Sequence, residues 1–224
     1  EPYRRQRQMC IRDSMETTKN KTTLLIMAAG MGSRFGSLKQ LALLGPHKKT
    51  LLHYSIYDAV HAGFDKIVFI IRRSFENEFK EAVGKYAESL VETVYCFQEM
   101  DQLPGNLPPI QREKPWGTAH AIWAAKDHIH EPFIAINADD FYGRDAFVKM
   151  HDFVASNSDE RCFSLAGYRL AATLSENGTV SRGICTVDED NFLTSITECT
   201  KIGREGDVIK DLNSGVVLHE DDVV

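Results

Sequence analysis

The predicted fold of this chain rests on one stretch, LLIMAAGMGSRFGSLKQ, at positions 24–40. It begins with apolar residues that need a sheet to bury them, and it continues directly into a loop with three glycines, Arg34 and, just beyond, Lys39. Glycine lets backbone N–H groups approach an anion closely, because it has no Cβ and adopts positive φ at little cost. Strand, small-residue loop and cations together therefore predict a phosphate site.

Two better-known glycine-rich motifs do not fit this stretch. In the dinucleotide fingerprint G-x-G-x-x-G, the third glycine would come earlier than Gly36 does after Gly30 and Gly32. The next predicted strand also ends in two arginines instead of the acidic residue that binds a ribose. A P-loop is excluded because Lys39 is neither preceded by glycine nor followed by Ser or Thr. A tight strand-to-helix turn without a ligand remains the alternative.

The segment AAGMGSRF at positions 28–35, followed by Lys39, resembles the signature of the nucleotidyltransferases that make nucleoside-diphosphate sugars from a nucleoside triphosphate and a sugar 1-phosphate. The resemblance implies that Arg34 and Lys39 are catalytic and neutralise the triphosphate. Leu38 departs from the family, in which many members carry proline before the lysine. The resemblance also implies that the loop residues bind the nucleotide, namely Ala28, Ala29, Gly30, Gly32 and Ser33.

Composition limits the class of protein. With 224 residues, 43% of them hydrophobic, the chain is long enough for one sizeable α/β domain and too short for two full ones. A net charge of -6 argues against a general nucleic-acid binder, which needs a basic face. No apolar run reaches about 18 residues, so we expect no membrane span. The cysteines form no C-x-x-C pair and indicate a reducing cytoplasm: Cys10, Cys96, Cys162, Cys185 and Cys199.

The two ends of the chain do not match the resemblance, which covers roughly Thr22 to Leu218. Residues 1–14 carry several arginines and no hydrophobic period, and Met15 follows them directly. We expect a non-native leader there and a single nucleotidyltransferase domain over residues 15–224. Since the sequence stops at Val224 without a helix or cap, we expect that this domain is truncated at its C-terminus.

Strands and helices alternate after the glycine loop. A helix is predicted from Thr50 to Gly63, since threonine is a good N-cap and glycine readily takes a left-handed C-cap. Strands are predicted over Lys66–Ile71, Val91–Phe97 and Phe133–Ala138, with a helix from Ser74 onward and another over 122–128. The pattern predicts an α/β fold with a mostly parallel, Rossmann-like sheet and helices on both faces. The resemblance implies the nucleotide-diphospho-sugar transferase type of that fold.

A proline-rich segment over 98–117 interrupts this alternation and predicts a long functional loop. By resemblance, the glutamine that ends the third strand and the turn that enters the next helix hold the nucleobase. Gln98, Gly117 and Thr118 match those places. A glutamine side chain offers both a donor and an acceptor, as the edge of a pyrimidine requires. Alternatively, Gln98 is an ordinary strand-end residue and Gly117 only an N-cap.

Two adjacent aspartates follow the strand that ends at Ala138. Carboxylates at that end of a buried strand are costly unless a cation or solvent meets them, and ligands of open α/β sheets bind at the carboxyl ends of the strands. Mg²⁺ needs only one or two carboxylates because phosphates and water supply its other ligands. By its match to the family, Asp139 is predicted to be the metal ligand, and Asp140 to cap the turn or contact substrate. A solvated acidic turn is the alternative.

The last third of the chain predicts a strand over Cys162–Leu170 and a hairpin over Gly183–Glu198. The resemblance implies that this hairpin part binds the sugar phosphate through Gly183, Glu198 and Asn213. The lysine that usually follows the glutamate is replaced by Cys199. Two cations are therefore candidates for the partner of the sugar phosphate, Arg182 and Lys201.

The resemblance implies an enzyme that transfers a nucleotidyl group, with Mg²⁺ as cofactor and a nucleoside triphosphate and a sugar 1-phosphate as partners. Two alternatives stay open. One is a cytidylyltransferase that acts on a phosphorylated alcohol such as phosphocholine. The other is a catalytically silent nucleotide-binding or regulatory module of the same fold. The base, the sugar and whether the chain forms a homo-oligomer are not determined by the sequence.

Overall fold

The computed structural model describes residues 21–30, 49–105, 116–157 and 159–224. The chain divides into two units between Ser164 and Leu165. The first unit contains a parallel sheet with helices, and the second contains an antiparallel sheet. That residues 15–224 act as a single domain stays a prediction.

Parallel strands form the sheet of the first unit, as the sequence predicts. Its order is β3-β2-β1-β4, and each neighbouring pair is parallel. Every residue of β2 is buried, since this strand has a neighbour on each side and lies between two helical layers. The strands are β1 (Thr23–Met27), β2 (Lys66–Ile71), β3 (Glu92–Phe97) and β4 (Phe133–Asn137).

Helices cover both faces of this sheet, which confirms the predicted α/β class. Side chains alternate along a strand, so Leu24 and Ile26 enter one apolar cluster and Leu25 enters another. Residues of α1, α2 and α5 contribute to the first cluster, and Ala121 of α4 contributes to the second. The helices are α1 (Leu51–Ala62), α2 (Glu76–Phe79), α3 (Lys85–Glu88), α4 (Thr118–Trp123) and α5 (Arg144–Ser156).

Two predicted helices differ from those in the structure. The helix expected from Ser74 is a series of short pieces, with a 3-10 turn before α2 and a π-helical turn, Lys80–Gly84, between α2 and α3. Gly84 lies so close to the Tyr95 hydroxyl that a Cβ there would collide with it. The helix expected over 122–128 instead begins at Thr118, and hydrogen-bonded turns follow Trp123.

The C-terminal cap of α1 is Gly63, as predicted. Its φ is 116°, a left-handed conformation that favours glycine, and its N–H donates to the carbonyl oxygens of Ala59 and Val60. The His151 ring of α5 packs against this turn, so a Cβ on Gly63 would lie 2.8 Å from two of its ring atoms. Backbone conformation and close packing therefore both require glycine here.

The variant Gly63→Ala is expected to lower the free energy of unfolding of the first unit by about 3 kcal/mol, from backbone strain and the collision with His151. Both tryptophans of the chain, Trp116 and Trp123, belong to this unit, so tryptophan fluorescence in a urea titration reports on it. Gly105→Ala is the control, because Gly105 has a φ of 71° but no described atom within 4 Å of the Cβ position. It should cost only about 1 kcal/mol. Equal losses would contradict the proposed contact.

A largely buried ion pair lies at the amino edge of the parallel sheet. Nζ of Lys66, in β2, is 2.9 Å from Oε1 of Glu131 and donates to the His128 carbonyl oxygen at 2.5 Å. The hydroxyl of Thr23, in β1, donates to the same carboxylate, and the His130 N–H donates to it at 3.0 Å. Burial alone would raise the pKa of Glu131, but these donors and the Lys66 charge outweigh it and hold the pKa at about 2.

The second unit is built on an antiparallel sheet of order β5-β6-β7-β8. Its first two strands form the hairpin that the sequence predicts, and they extend beyond it. A small apolar cluster of Leu170, Cys199, Ile202, Ile209 and Leu218 stabilises this unit. The strands are β5 (Val180–Val187), β6 (Leu193–Glu205), β7 (Val208–Asp211) and β8 (Val217–Leu218).

The predicted strand over Cys162–Leu170 is wrong. Of these residues, only Arg169 makes a bridge, with Val223, and a 3-10 turn begins at Leu170. An apolar segment becomes a strand only when another strand pairs with its backbone, and this segment crosses the division between the two units. Phe163 accordingly stays 89% exposed.

No helix in the described ranges combines the length and the apolarity that crossing a bilayer requires. The described cysteines are free, with Cys96 and Cys199 buried, Cys185 half-buried and Cys162 exposed. Burial raises the pKa of the Cys96 thiol to about 11. Cys10 lies outside the described residues.

Candidate active site

Several predicted site residues of the first unit directly follow strands that end at one edge of the sheet. Parallel pairing extends one residue beyond the strands, because the Ala28 N–H donates to the Ile70 carbonyl at 2.8 Å and the Ala138 N–H to the Met27 carbonyl at 3.2 Å. The Gln98 N–H likewise donates to the Ile71 carbonyl at 3.1 Å. The turn after β1, the glutamine after β3 and the aspartates after β4 therefore share the carboxyl edge, where ligands of such sheets bind.

The turn after β1 begins with two buried alanines. Ala28 and Ala29 are 4% and 3% exposed and pack into the apolar clusters on opposite faces of the sheet, so only their backbones can meet a ligand. Gly30 is exposed, and no described atom lies within 4 Å of the position that a Cβ would take. The roles predicted for the rest of the loop stay predictions, since these residues lie outside the described ones: Gly32, Ser33, Arg34 and Lys39.

The two aspartates after β4 have different surroundings. Oδ2 of Asp140 accepts from Nδ2 of Asn137 at 2.8 Å and from the Tyr142 hydroxyl at 3.4 Å, so this side chain closes the turn. The Tyr142 hydroxyl in turn accepts from the Asn137 N–H at 2.9 Å. Asp139 is exposed, and its carboxylate makes no hydrogen bond or ion pair with any described residue. Of the pair, Asp139 is therefore the one whose oxygens are available to a cation.

The donors around Asp139 suit Mg²⁺ held partly by a substrate. Among the described residues, no three His, Cys, Asp or Glu side chains come together as a metal cluster. A lone carboxylate is nevertheless sufficient for Mg²⁺, which commonly takes its remaining ligands from phosphates and water. The exposed Asp139 beside the turn after β1 fits that requirement.

Gln98 and the turn that enters α4 are joined by hydrogen bonds. Nε2 of Gln98 donates to the carbonyl oxygens of Trp116 at 3.1 Å and Gly117 at 3.4 Å, and it lies 3.2 Å from Nδ1 of His120. Gly117 is the N-cap of α4, and Thr118 is its first residue. Gly117 and Thr118 are exposed, and the half-buried Gln98 side chain reaches the Gly117 carbonyl. The structure thus brings together the three residues that the sequence assigns to the nucleobase.

Gln98 and Asp139 lie at opposite ends of this edge. They follow β3 and β4, the outer strands of the sheet, and two strands lie between them. With strands about 4.8 Å apart, three steps separate the two positions by about 14 Å. The turn after β1 lies next to the Asp139 segment. An extended ligand along the edge could therefore contact the glutamine at one end and the aspartate at the other.

The residues that the sequence assigns to a sugar phosphate come together within the second unit. Gly183 of β5 pairs directly with Glu198 of β6, and Oε2 of Glu198 is 3.9 Å from the position of a Gly183 Cβ. Nδ2 of Asn213 donates to the Thr200 hydroxyl at 2.8 Å. Glu198 and Thr200 are both exposed and lie on either side of the buried Cys199.

The two candidate cations of this unit differ in how they are engaged. The Arg182 guanidinium donates to the carbonyl oxygens of Ser181 at 2.7 Å and Thr173 at 2.8 Å. Lys201 is exposed, and its ammonium forms no ion pair with a described residue. Of the two, Lys201 is therefore the cation whose charged group no described residue engages.

His120 is the residue that the sequence reasoning missed. It lies on the first turn of α4, between Trp116 and Trp123, at ring-centroid distances of 5.9 and 5.5 Å. Its Nε2 is 2.6 Å from the Gln102 carbonyl oxygen. The only available signal was a histidine two residues after Thr118, on the turn assigned to the nucleobase.

Comparison with known proteins identifies a matching family. Residues 23–198 match the family model described as "Nucleotidyl transferase". This range contains every described residue of the parallel sheet and most of the first hairpin of the second unit.

Individual relatives share less than 30% of their residues with this chain over the aligned part. A UTP–glucose-1-phosphate uridylyltransferase of Bacillus subtilis (strain 168) is 28% identical over 130 residues, or 52% of this chain and 43% of the relative. Solved structures include a UDP-glucose pyrophosphorylase with UDP-glucose, at 22% identity and a TM-score of 0.45, covering 73% of this chain and 63% of that one. Another is a CTP:phosphocholine cytidylyltransferase from Streptococcus pneumoniae, at 18% identity and a TM-score of 0.48. This match covers 81% of this chain and 66% of the cytidylyltransferase chain. The chain spans less than two thirds of the length of each.

Proposed function

Because this chain belongs to the nucleotidyl transferase family, we propose that it transfers a nucleotidyl group from a nucleoside triphosphate to a sugar 1-phosphate. The products are a nucleoside-diphosphate sugar and pyrophosphate. The observation that carries this proposal is the arrangement of the carboxyl edge. It has the Gln98 amide, a glycine turn after β1 and, beside that turn, the Asp139 carboxylate, which no described residue engages.

The reaction needs no covalent nucleophile from the protein. A phosphate oxygen of the sugar 1-phosphate attacks the α-phosphorus of the nucleotide in line, the new P–O bond forms, and the bond to the β-phosphate oxygen breaks to release pyrophosphate. Catalysis of this kind depends on positioning and on charge neutralisation. We assign the neutralising charges to Arg34 and Lys39, and the backbone contacts with the triphosphate to the turn after β1.

Asp139 is the residue that would hold Mg²⁺. Asp140 is not the metal ligand in this proposal, since Asn137 and Tyr142 already engage its carboxylate. When bound, Mg²⁺ neutralises charge on the phosphates and helps to orient them. The protein contributes the fixed position of Asp139, which follows directly from the pairing of β4 with β1.

The two substrates are recognised by different parts of the chain. Gln98, Gly117 and Thr118 hold the base, with the glutamine amide oriented by the loop and helix around it. Gly183, Glu198 and Asn213 hold the sugar phosphate on the exposed face of the second unit. Glycine at 183 leaves space opposite Glu198, where a Cβ would lie 2.8 Å from Cγ2 of Ile196.

The experiment that tests this function measures Mg²⁺-dependent pyrophosphate release by the full-length protein. Each of the four ribonucleoside triphosphates and dTTP is offered with several sugar 1-phosphates and with phosphocholine. We expect one nucleotide and one sugar 1-phosphate to give the highest kcat/KM. A preference for CTP with phosphocholine would instead identify a cytidylyltransferase. Nucleotide binding without release of pyrophosphate from any pair would identify a catalytically silent module.

A further inference from the structure

His120 joins two segments that form the base end of the candidate site. Its Nε2 lies 2.6 Å from the Gln102 carbonyl oxygen, and its Nδ1 lies 3.2 Å from Nε2 of Gln98. The ring is held between the indoles of Trp116 and Trp123. The Trp116 indole N–H donates to the Met100 carbonyl at 3.0 Å, which fixes the same loop from a second side.

The partners of the imidazole determine its protonation pattern. A carbonyl oxygen only accepts hydrogen bonds, so Nε2 must carry the proton that is donated to Gln102. In the neutral ring Nδ1 is then an acceptor, and it can receive a hydrogen bond from the amide NH₂ of Gln98. The contacts at both nitrogens are satisfied by this one tautomer.

The same contacts determine which way the Gln98 amide points. Its NH₂ group faces three acceptors: the Trp116 carbonyl, the Gly117 carbonyl and Nδ1 of His120. Reversing the amide would place its oxygen against three acceptors with no proton between them. Its Oε1 has no partner among the described residues, and it is the atom left for a ligand.

We propose that His120 is a positioning residue for base recognition. Together with the Trp116 and Gly117 carbonyls, it holds the Gln98 amide so that Oε1, and not Nε2, faces the nucleobase and accepts a hydrogen bond from a base N–H. This inference rests on the proposed function, because it needs a nucleobase at Gln98. It adds a residue and a direction of hydrogen bonding that the family match does not supply.

Two substitutions separate the two hydrogen bonds of the ring. In His120→Asn, Oδ1 replaces Nδ1 as the acceptor for Gln98, and the bond to Gln102 is lost. In His120→Gln, the longer amide can still donate to Gln102, but the acceptor for Gln98 is lost. We expect H120N to keep the nucleotide KM within about twofold of wild type. H120Q should raise this KM about fivefold to tenfold, with kcat and the KM of the acceptor nearly unchanged.

A spectroscopic measurement tests the tautomer without any substrate. The His120 ring signals in the ¹⁵N–¹H spectrum are assigned as those that disappear in H120N. For the neutral ring, these signals should show that the proton is bound to Nε2. A proton on Nδ1, or equal nucleotide KM values for H120N and H120Q, would overturn the proposal while leaving the nucleotidyl transfer intact. If wild type neither binds nor uses any of the five nucleotides, the proposed function fails, and this inference fails with it.

Discussion

Replacing Asp139 by asparagine is expected to lower kcat/KM for nucleotidyl transfer by about 10²- to 10³-fold. The substitution keeps the size of the side chain and removes the negative charge that would hold Mg²⁺. Since Asp139 is exposed and makes no bond with a described residue, its replacement should leave the unfolding temperature unchanged. The Mg²⁺ concentration that gives half-maximal rate should rise in the variant.

Asp140→Asn is the matched control for this experiment. The amide oxygen of the new residue can still accept from Asn137 and Tyr142, so the turn should keep its structure. We expect this neighbour to retain kcat/KM within about threefold of wild type. If the two variants lost the same activity, the loss would reflect the total acidity of the turn, and the assignment of Asp139, and not Asp140, as the metal ligand would be wrong.

Replacing Lys66 by methionine is expected to cost about 3 kcal/mol of unfolding free energy. Methionine fills a similar volume, but the largely buried carboxylate of Glu131, 17% exposed, loses the ammonium group 2.9 Å away. An uncompensated buried charge is far more destabilising than the pair itself is stabilising. Tryptophan fluorescence in a urea titration measures the change in the first unit, which contains Trp116 and Trp123.

A double variant distinguishes a lost charge partner from lost packing. Lys66→Met combined with Glu131→Gln removes both charges, and glutamine can still accept from Thr23 and the His130 N–H. The double variant should recover more than half of the stability lost in the single one. If it is as unstable as K66M alone, the loss is one of packing.

Acid unfolding provides a second measurement on the same pair. The pKa of Glu131 in the folded protein is about 2, below its unfolded value of about 4.3. Because the pKa of Glu131 is lowered by folding, its ionised carboxylate stabilises the folded state. This contribution is fully present above about pH 4.3 and is lost as the pH falls towards about 2. Between these limits, the unfolding free energy of wild type should fall more steeply with acid than that of K66M. Parallel curves would contradict the ion pair.

The pattern of apolar and polar residues within short segments was sufficient to predict the architecture of the first unit. β2 and the segment before Ala28 are apolar on both faces, and a residue pattern of that kind is buried only in the interior of a parallel sheet. The carboxyl ends of parallel strands lie along one edge, so the placement of Gln98 and Asp139 on that edge follows from the same pattern. Gly63 ends α1 as predicted, because the left-handed conformation is a local property of one residue.

Long-range contacts account for what the sequence reasoning missed. Lys66 and Glu131 are 65 positions apart, and nothing in the residues around either one indicates that they pair. His120 acquires its role only because Gln98 and Gln102 pack against α4. The strand expected over Cys162–Leu170 failed for the related reason that an apolar segment needs a neighbour, and its neighbours are set elsewhere in the chain.

The sequence alone is thus enough to predict the parallel α/β sheet, its buried strands and the edge that carries the candidate site. These features depend on hydrophobic periodicity and on the residue types at strand ends, and both can be recognised within a few neighbouring residues. Tertiary packing decided the rest. It engaged Asp140 within its turn, left Asp139 without a bond to any described residue, turned the Gln98 amide towards three acceptors, and packed Lys66 against Glu131. Each of these outcomes depends on which side chains meet in space, and that is set only when the strands and helices have assembled.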